Sequence, residues 1–260
     1  MADSGVRSGI RKKATLRLGR KIARFAVGKD KELFTVHEDL ICVSPFFRNI
    51  LQPRRKPVEG DCSICHDALD PETKELTYCS SSCGGNFHRS CIDDLTDHTP
   101  ENEVTKCPLC RQPWTFSSDM SHYIHQLPTL DSEGFEIFLE WLYNPNTVTG
   151  RDATLPLLHA CMLGSHFEAQ KFHAETKRAV YDSCKRNSWP DILSIRKIYA
   201  TGTEPYDLRR AVVALYKCMP PAVLERAFDY PARFPPAFTR DLLVALATER
   251  DKTPRPRTLA

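Results

Sequence analysis

Two short apolar runs, at 22–27 and 33–36, bracket the polar stretch Gly28-Lys29-Asp30-Lys31, and this pattern predicts two strands joined by a tight turn. His37 and the residues up to Cys42 read as a short helix. Ser44-Pro45, an N-cap followed by proline at the first helical position, opens a second helix through Leu51. Gln52-Pro53-Arg54-Arg55-Lys56-Pro57 is too polar and too rich in proline to continue it, and marks a boundary. A second boundary is expected near Ser117 to Ser121.

Beyond that point apolar residues alternate over 123–127, which predicts a third strand. Phe135, Phe138, Leu139 and Leu142 then recur at i, i+3, i+4 and i+7, so a helix capped by Asp131 and ended by Asn144-Pro145 should bury one face. Two further helices are expected over 155–163, closed by Gly164, and over 168–185. After Trp189-Pro190 four more, at 191–199, 206–219, 222–228 and 238–249, are punctuated by proline pairs. Trp141 and the Phe135 stripe read as core, and His37 as a capping or surface residue. The C-terminal third is thus expected to be all helical.

With 260 residues, 41% hydrophobic, 27% charged and a net charge of +3, the chain can bury one or two ordinary cores. No run approaches the roughly 18 apolar residues of a membrane span, and the start lacks a secretory apolar core. The expectation is a protein of the cytoplasm or nucleus with no membrane contact. Basic residues concentrate in an arm over 1–21, where Arg7, Arg11, Lys12, Lys13, Arg17, Arg20 and Lys21 face only Asp3. Such an arm reads as a localisation signal, an anionic-surface contact, a transit peptide or a solvated tail.

The cysteines change the picture most. In a reducing compartment the eleven of them are metal ligands or small buried hydrophobes rather than disulfides. Cys42, Cys161, Cys184 and Cys218 are scattered through helical patterns and are expected in the core. The other seven lie between positions 62 and 110, in the order Cys62-x2-Cys65, Cys79-x3-Cys83, His88-x2-Cys91 and Cys107-x2-Cys110. Paired ligands at this spacing present two donors to one ion, and four pairs imply two structural zinc ions. A cross-brace assigns Cys62, Cys65, His88 and Cys91 to the first ion and Cys79, Cys83, Cys107 and Cys110 to the second. His66 and His98 fall off-register.

This constellation resembles the RING finger family; PHD fingers share the ligand order. The Cys107-Pro108-Leu109-Cys110-Arg111 run and Thr105, where PHD fingers usually carry an aromatic, favour RING. The resemblance implies a ubiquitin ligase acting without a covalent intermediate. Ile64, Pro108 and Leu109 would dock a ubiquitin-conjugating enzyme, and Arg111 would be the linchpin that orients its thioester-linked ubiquitin. The alternative is a non-catalytic adaptor with a purely structural finger. The helix after His88 departs from many active RING fingers in lacking a tryptophan.

The flanks resemble a BTB/POZ domain of the kind abundant in fungal proteins, on Val27-Gly28-Lys29, Phe34-Thr35-Val36-His37-Glu38-Asp39-Leu40, Ser44-Pro45-Phe46-Phe47 and the stretch from Phe135 to Tyr143. That resemblance implies an α+β fold, a small sheet with surrounding helices, interrupted by the finger. The expected segments are a basic arm at 1–21, the BTB parts at 22–56 and 119–186, the finger at 58–115, a helical region at 187–250 and a tail at 251–260. It also implies a cullin scaffold or a second copy as partner, while the protein substrate is not legible. Nucleic-acid binding has only the basic arm to recommend it.

Overall fold

A computed structural model of the chain describes residues 21–71, 73–115, 123–151, 153–186, 189–200, 207–229 and 233–252. They form two compact units, one made by 55–115 and the other by the segments on either side of it in sequence. Residues 1–20 of the basic arm, the boundary at 117–121 and the last eight residues lie outside the described residues.

The larger unit begins with strands β1 (Ile22–Val27) and β2 (Glu32–His37), antiparallel, with Ile22 opposite His37 and Val27 opposite Glu32. The tight turn needs left-handed backbone, and Gly28 supplies it at φ 76°. Two short helices follow, α1 (Glu38–Ile41) and α2 (Pro45–Leu51). Ser44 caps α2: its fully buried hydroxyl accepts from the Phe47 N–H at 3.4 Å and donates to the Phe167 carbonyl at 2.7 Å. Ser44→Ala leaves both groups unpaired, and its urea unfolding midpoint should report a loss of about 1–3 kcal/mol.

The chain then makes the smaller unit, with β3 (Leu76–Tyr78), β4 (Asn86–His88) and α3 (Arg89–Asp97), before returning as β5 (Ile124–Leu127). β5 pairs with β1 in parallel, Arg24 opposite Ile124 and Val27 opposite Leu127, giving the sheet order β2-β1-β5. A parallel partner requires a crossover connection. Here that connection holds α1, α2 and the whole smaller unit.

Asp131 caps α4 (Ser132–Tyr143) through the Gly134 N–H at 2.8 Å, and the expected stripe faces inward. Phe25, Phe47, Phe135, Phe138, Phe167 and Phe172 are all fully buried and mutually packed, with ring centroids such as Phe47–Phe167 at 4.7 Å and Phe138–Phe172 at 5.0 Å. The Trp141 indole N–H donates to Glu175 at 2.7 Å. His37 lies at the N-terminus of α1, its Nδ1 2.8 Å from the Tyr143 hydroxyl, an exposed structural contact.

After a 3-10 turn at Pro145–Val148 come α5 (Thr154–His166) and α6 (Gln170–Lys185). Gly164 does not close its helix as expected: α5 runs on to His166, and a Cβ at Gly164 would meet the His173 backbone at 3.0 Å. The glycine serves close helix packing, and the turn is made instead by Glu168 at φ 55°.

Helices α7 (Ile192–Ala200), α8 (Leu208–Lys217), α9 (Pro221–Ala227) and α10 (Pro236–Lys252) complete the unit. Ile195, Val212 and Phe238 belong to the same buried cluster as Phe25 and Phe135, so the C-terminal helices share the core of the sheet. Cys42, Cys161 and Cys184 are buried, but Cys218 is exposed, contrary to expectation. It is the C-cap of α8, where the helix ends and Met219 rather than Cys218 turns inward. No described helix is long and apolar enough to cross a membrane.

Candidate metal centre

The smaller unit makes the same tight turn twice. In the first, the Cys62 N–H donates to the Asp67 carbonyl and the His66 N–H to the Cys62 carbonyl, each at 2.8 Å. In the second, Cys107 donates to Gln112 at 2.9 Å and Arg111 to Cys107 at 2.8 Å. Both turns close on a left-handed residue, His66 at φ 62° and Arg111 at φ 60°, a conformation that costs a non-glycine residue roughly 1–2 kcal/mol. Bringing two thiols to one point is what that strain accompanies.

The β3–β4 hairpin supplies the remaining ligands. Leu76 pairs with His88 and Tyr78 with Asn86, while the Cys79 N–H donates to Gly85 and the Gly84 N–H to Cys79, both at 3.0 Å, folding the loop that carries Cys79 and Cys83. α3 starts directly after His88 and sets Cys91 beside it.

The donor atoms of Cys62, Cys65, His88 and Cys91 lie within 4.8 Å of one another, as do those of Cys79, Cys83, Cys107 and Cys110. These are the interleaved sets of a cross-brace. His88 Nδ1 sits 3.2 Å from the Cys65 sulfur and 3.9 Å from that of Cys91, while its Nε2 is 3.0 Å from the Ala68 carbonyl. An Nε2–H donated to that carbonyl leaves Nδ1 as the lone pair for a metal, the outer support typical of a ligating imidazole. In the second set Cys79 and Cys110 are 3.8 Å apart and Cys83 and Cys107 3.7 Å. His66 and His98 belong to neither set; His98 Nδ1 bonds the Asp94 carbonyl at 2.7 Å at the end of α3.

Both clusters fit zinc: soft thiolates, one oriented imidazole and four donors each, with no position left for water or substrate. The chain therefore carries sites for two structural zinc ions. Thiol acidity is divided within each set. Burial raises Cys62, but backbone N–H donors at His88, Cys65 and Ile64 outweigh it and bring the thiol down to about 7. Burial likewise raises Cys79, outweighed by the Ser81 hydroxyl and by the N–H groups of Cys83 and Ser82, which bring it to about 6. Burial pushes Cys91 up to about 12, reinforced by the Cys65 and Cys62 sulfurs, and Cys107 to about 12, reinforced by Cys110 and Cys83. Zinc must displace protons from the last two, so loading is coupled to proton release and weakens as pH falls.

Around the two clusters lies a core the sequence reading missed. Phe87, Ile92 and Trp114 are buried, with the Phe87 and Trp114 rings edge to face at 5.5 Å. Trp114 is buried in this core rather than standing on α3, and its apolar side chain four residues past the last cysteine was the available signal. The unit is also fastened where the chain enters and leaves. Asn86, buried, donates to the carbonyls of Lys56 and Pro57 at 3.1 Å and accepts from Arg55 Nε at 2.9 Å, while Ser81 holds the Pro113 carbonyl at 2.9 Å. The unit accordingly starts at Arg55, ahead of the expected 58.

On the surface, Leu109 is 56% exposed and Pro108 and Arg111 are exposed, whereas Ile64 is half-buried and packs against the small core. Gly85 leaves the room Leu109 occupies, since a Cβ there would fall 2.5 Å from Leu109 Cδ1.

The Ring finger domain family matches residues 60–111, so this part of the chain is a RING-type zinc finger. The E3 ubiquitin-protein ligase Zswim2 of Mus musculus is 35% identical over 57 residues, covering 20% of this chain and 9% of that protein. The chain thus spans less than a tenth of that relative's length. No solved structure matches it.

Proposed function

We propose that this protein is a RING-type ubiquitin ligase or ligase subunit, whose finger recruits a ubiquitin-conjugating enzyme and transfers ubiquitin with no covalent intermediate of its own. The observation that carries the reading is the second knuckle: two apolar residues, Pro108 and Leu109, stand exposed between zinc ligands, next to the exposed cation Arg111. Sites that are closed by four ligands leave the ions a folding role. Catalysis must then come from orientation: Ile64, Pro108 and Leu109 hold the enzyme, and Arg111 donates hydrogen bonds that keep the thioester in a reactive arrangement. The 35% identity over 57 residues of this chain to a ubiquitin ligase supports the same reading.

The larger unit is proposed to be of BTB/POZ type, on its β1–β2 hairpin, the Ser44-Pro45 helix and the buried Phe135 helix that follows a parallel third strand. It would bind substrate, a cullin scaffold or a second copy. A second reading, a non-catalytic adaptor, is favoured by one feature: Ile64 packs inward rather than standing free.

An autoubiquitination assay over a panel of conjugating enzymes separates the two. Chains formed by the wild type should be lost in Leu109→Ala and Arg111→Ala while both retain two zinc ions. Ile64→Ala should be weaker than wild type but no longer decisive. A fully zinc-loaded wild type that is inactive across the panel would establish the adaptor.

A further inference from the structure

Two glycines stand together in the loop between Cys83 and β4, and they serve different ends. Gly84 is left-handed at φ 69°, a conformation that glycine adopts at no steric cost. Gly85 lies outside that region, so its backbone does not call for a glycine; the space beside it does. A Cβ there would fall 2.5 Å from Leu109 Cδ1, whereas the Cys83 sulfur would be 3.5 Å away, an ordinary contact. The conflict is therefore with Leu109 and not with the neighbouring zinc ligand.

Of the two sides of this contact, the glycine is the one that is held. Its carbonyl accepts the Cys79 N–H at 3.0 Å, the Gly84 carbonyl accepts the Lys56 N–H at 3.0 Å, and the buried Asn86 donates to the carbonyls of Lys56 and Pro57 at 3.1 Å. Cys83, two residues earlier, belongs to the second ligand set. Leu109 is 56% exposed, and its side chain can change rotamer at the surface. A methyl group added at position 85 would thus leave the loop and both metal sites in place and swing Leu109 aside.

We infer that Gly85 is a positioning residue of the docking surface: the notch left by its missing side chain seats Leu109 and so fixes the direction in which that apolar residue meets a conjugating enzyme. The inference rests on the ligase reading for the identity of the partner. A leucine already seated against a held loop loses less conformational freedom when a partner covers it, which is the gain that preorganisation brings to binding.

Two measurements on the full zinc-loaded chain test it. In methyl-labelled protein, nuclear magnetic resonance should show a through-space contact between a Leu109 methyl and the Gly85 α-protons. Gly85→Ala, checked to hold two zinc ions, should shift the Leu109 methyl signals and leave those of Ile92, in the small core, where they are. In the ubiquitination assay Gly85→Ala should raise the half-saturating concentration of the conjugating enzyme by at least about fivefold with the rate at saturation kept, whereas damage to the fold would lower that rate instead. Loss of zinc from Gly85→Ala, no contact in the wild type, unmoved Leu109 methyls or an unchanged half-saturation would each overturn the inference. A wild type that forms no chains would overturn the ligase reading, and the docking role with it, while the contact and the methyl shifts would still decide whether Gly85 seats Leu109.

Discussion

Cys107→Ser is expected to remove at least one zinc ion per chain and to open the whole smaller unit to protease, while the larger unit stays folded. The reason lies in how the two clusters are connected. Cys79 and Cys83 of the second set and His88 of the first are carried by one short hairpin, β3–β4, whose loop and strand are held by only a few backbone hydrogen bonds. The apolar core that remains, Phe87, Ile92 and Trp114 with some half-buried neighbours, is too small to order some sixty residues without metal. Structural zinc typically contributes about 10–16 kcal/mol at neutral pH, so losing a ligand exceeds anything that core supplies. Zinc content by mass spectrometry and limited proteolysis read the result. The larger unit's buried cluster contains no residue of 55–115, and its thermal transition should move by no more than a few tenths of a kcal/mol equivalent. If Cys107→Ser retains two zinc ions and its protease resistance, the cross-brace assignment is wrong.

Phe135→Ala should produce the complementary result: two zinc ions retained, and the larger unit destabilised by about 3–5 kcal/mol. Phe135 is fully buried, and its ring meets those of Phe25, Phe34, Phe47, Phe138 and Phe167 at 5.2–6.4 Å. It joins the sheet, α2, α4 and the turn after α5, and no neighbour is free to fill the space it would leave. For a unit of this size the loss corresponds to roughly 10 °C in Tm. Phe46→Ala, at a half-buried position on the rim of the same cluster, should cost clearly less. A Phe135→Ala transition within 2 °C of wild type would show that the cluster repacks and that the sheet does not depend on it.

The zinc ligands were legible because metal geometry is local. A Cys-x2-Cys turn presents its thiols whatever surrounds it, so the spacing carried the four ligand pairs, while the joining of alternate pairs into two sets is made by the β3–β4 hairpin. The phenylalanine stripe on α4 and the Ser44-Pro45 cap were legible for the same reason, since helix periodicity and capping involve residues within one or two turns. What could not be read from neighbours in sequence was decided by contacts between distant ones. Gly164 looked like a stop signal, yet its lack of a Cβ serves the His173 backbone on the next helix. Cys218 fell in an apolar pattern, yet the end of α8 turns it outward. Ile64 is half-buried, packed against a core whose members Phe87, Ile92 and Trp114 come from three separate parts of the finger.

By itself, then, the sequence determined the four ligand pairs for two zinc ions and most helix positions, both set by short-range geometry and periodicity. Only the tertiary structure decided which ligand pairs share an ion, that β5 closes the sheet in parallel on β1 across the inserted finger, and that the C-terminal helices share the sheet's core. Each of these depends on side chains far apart in the chain burying one another, a choice made by packing and not by any residue's own propensity.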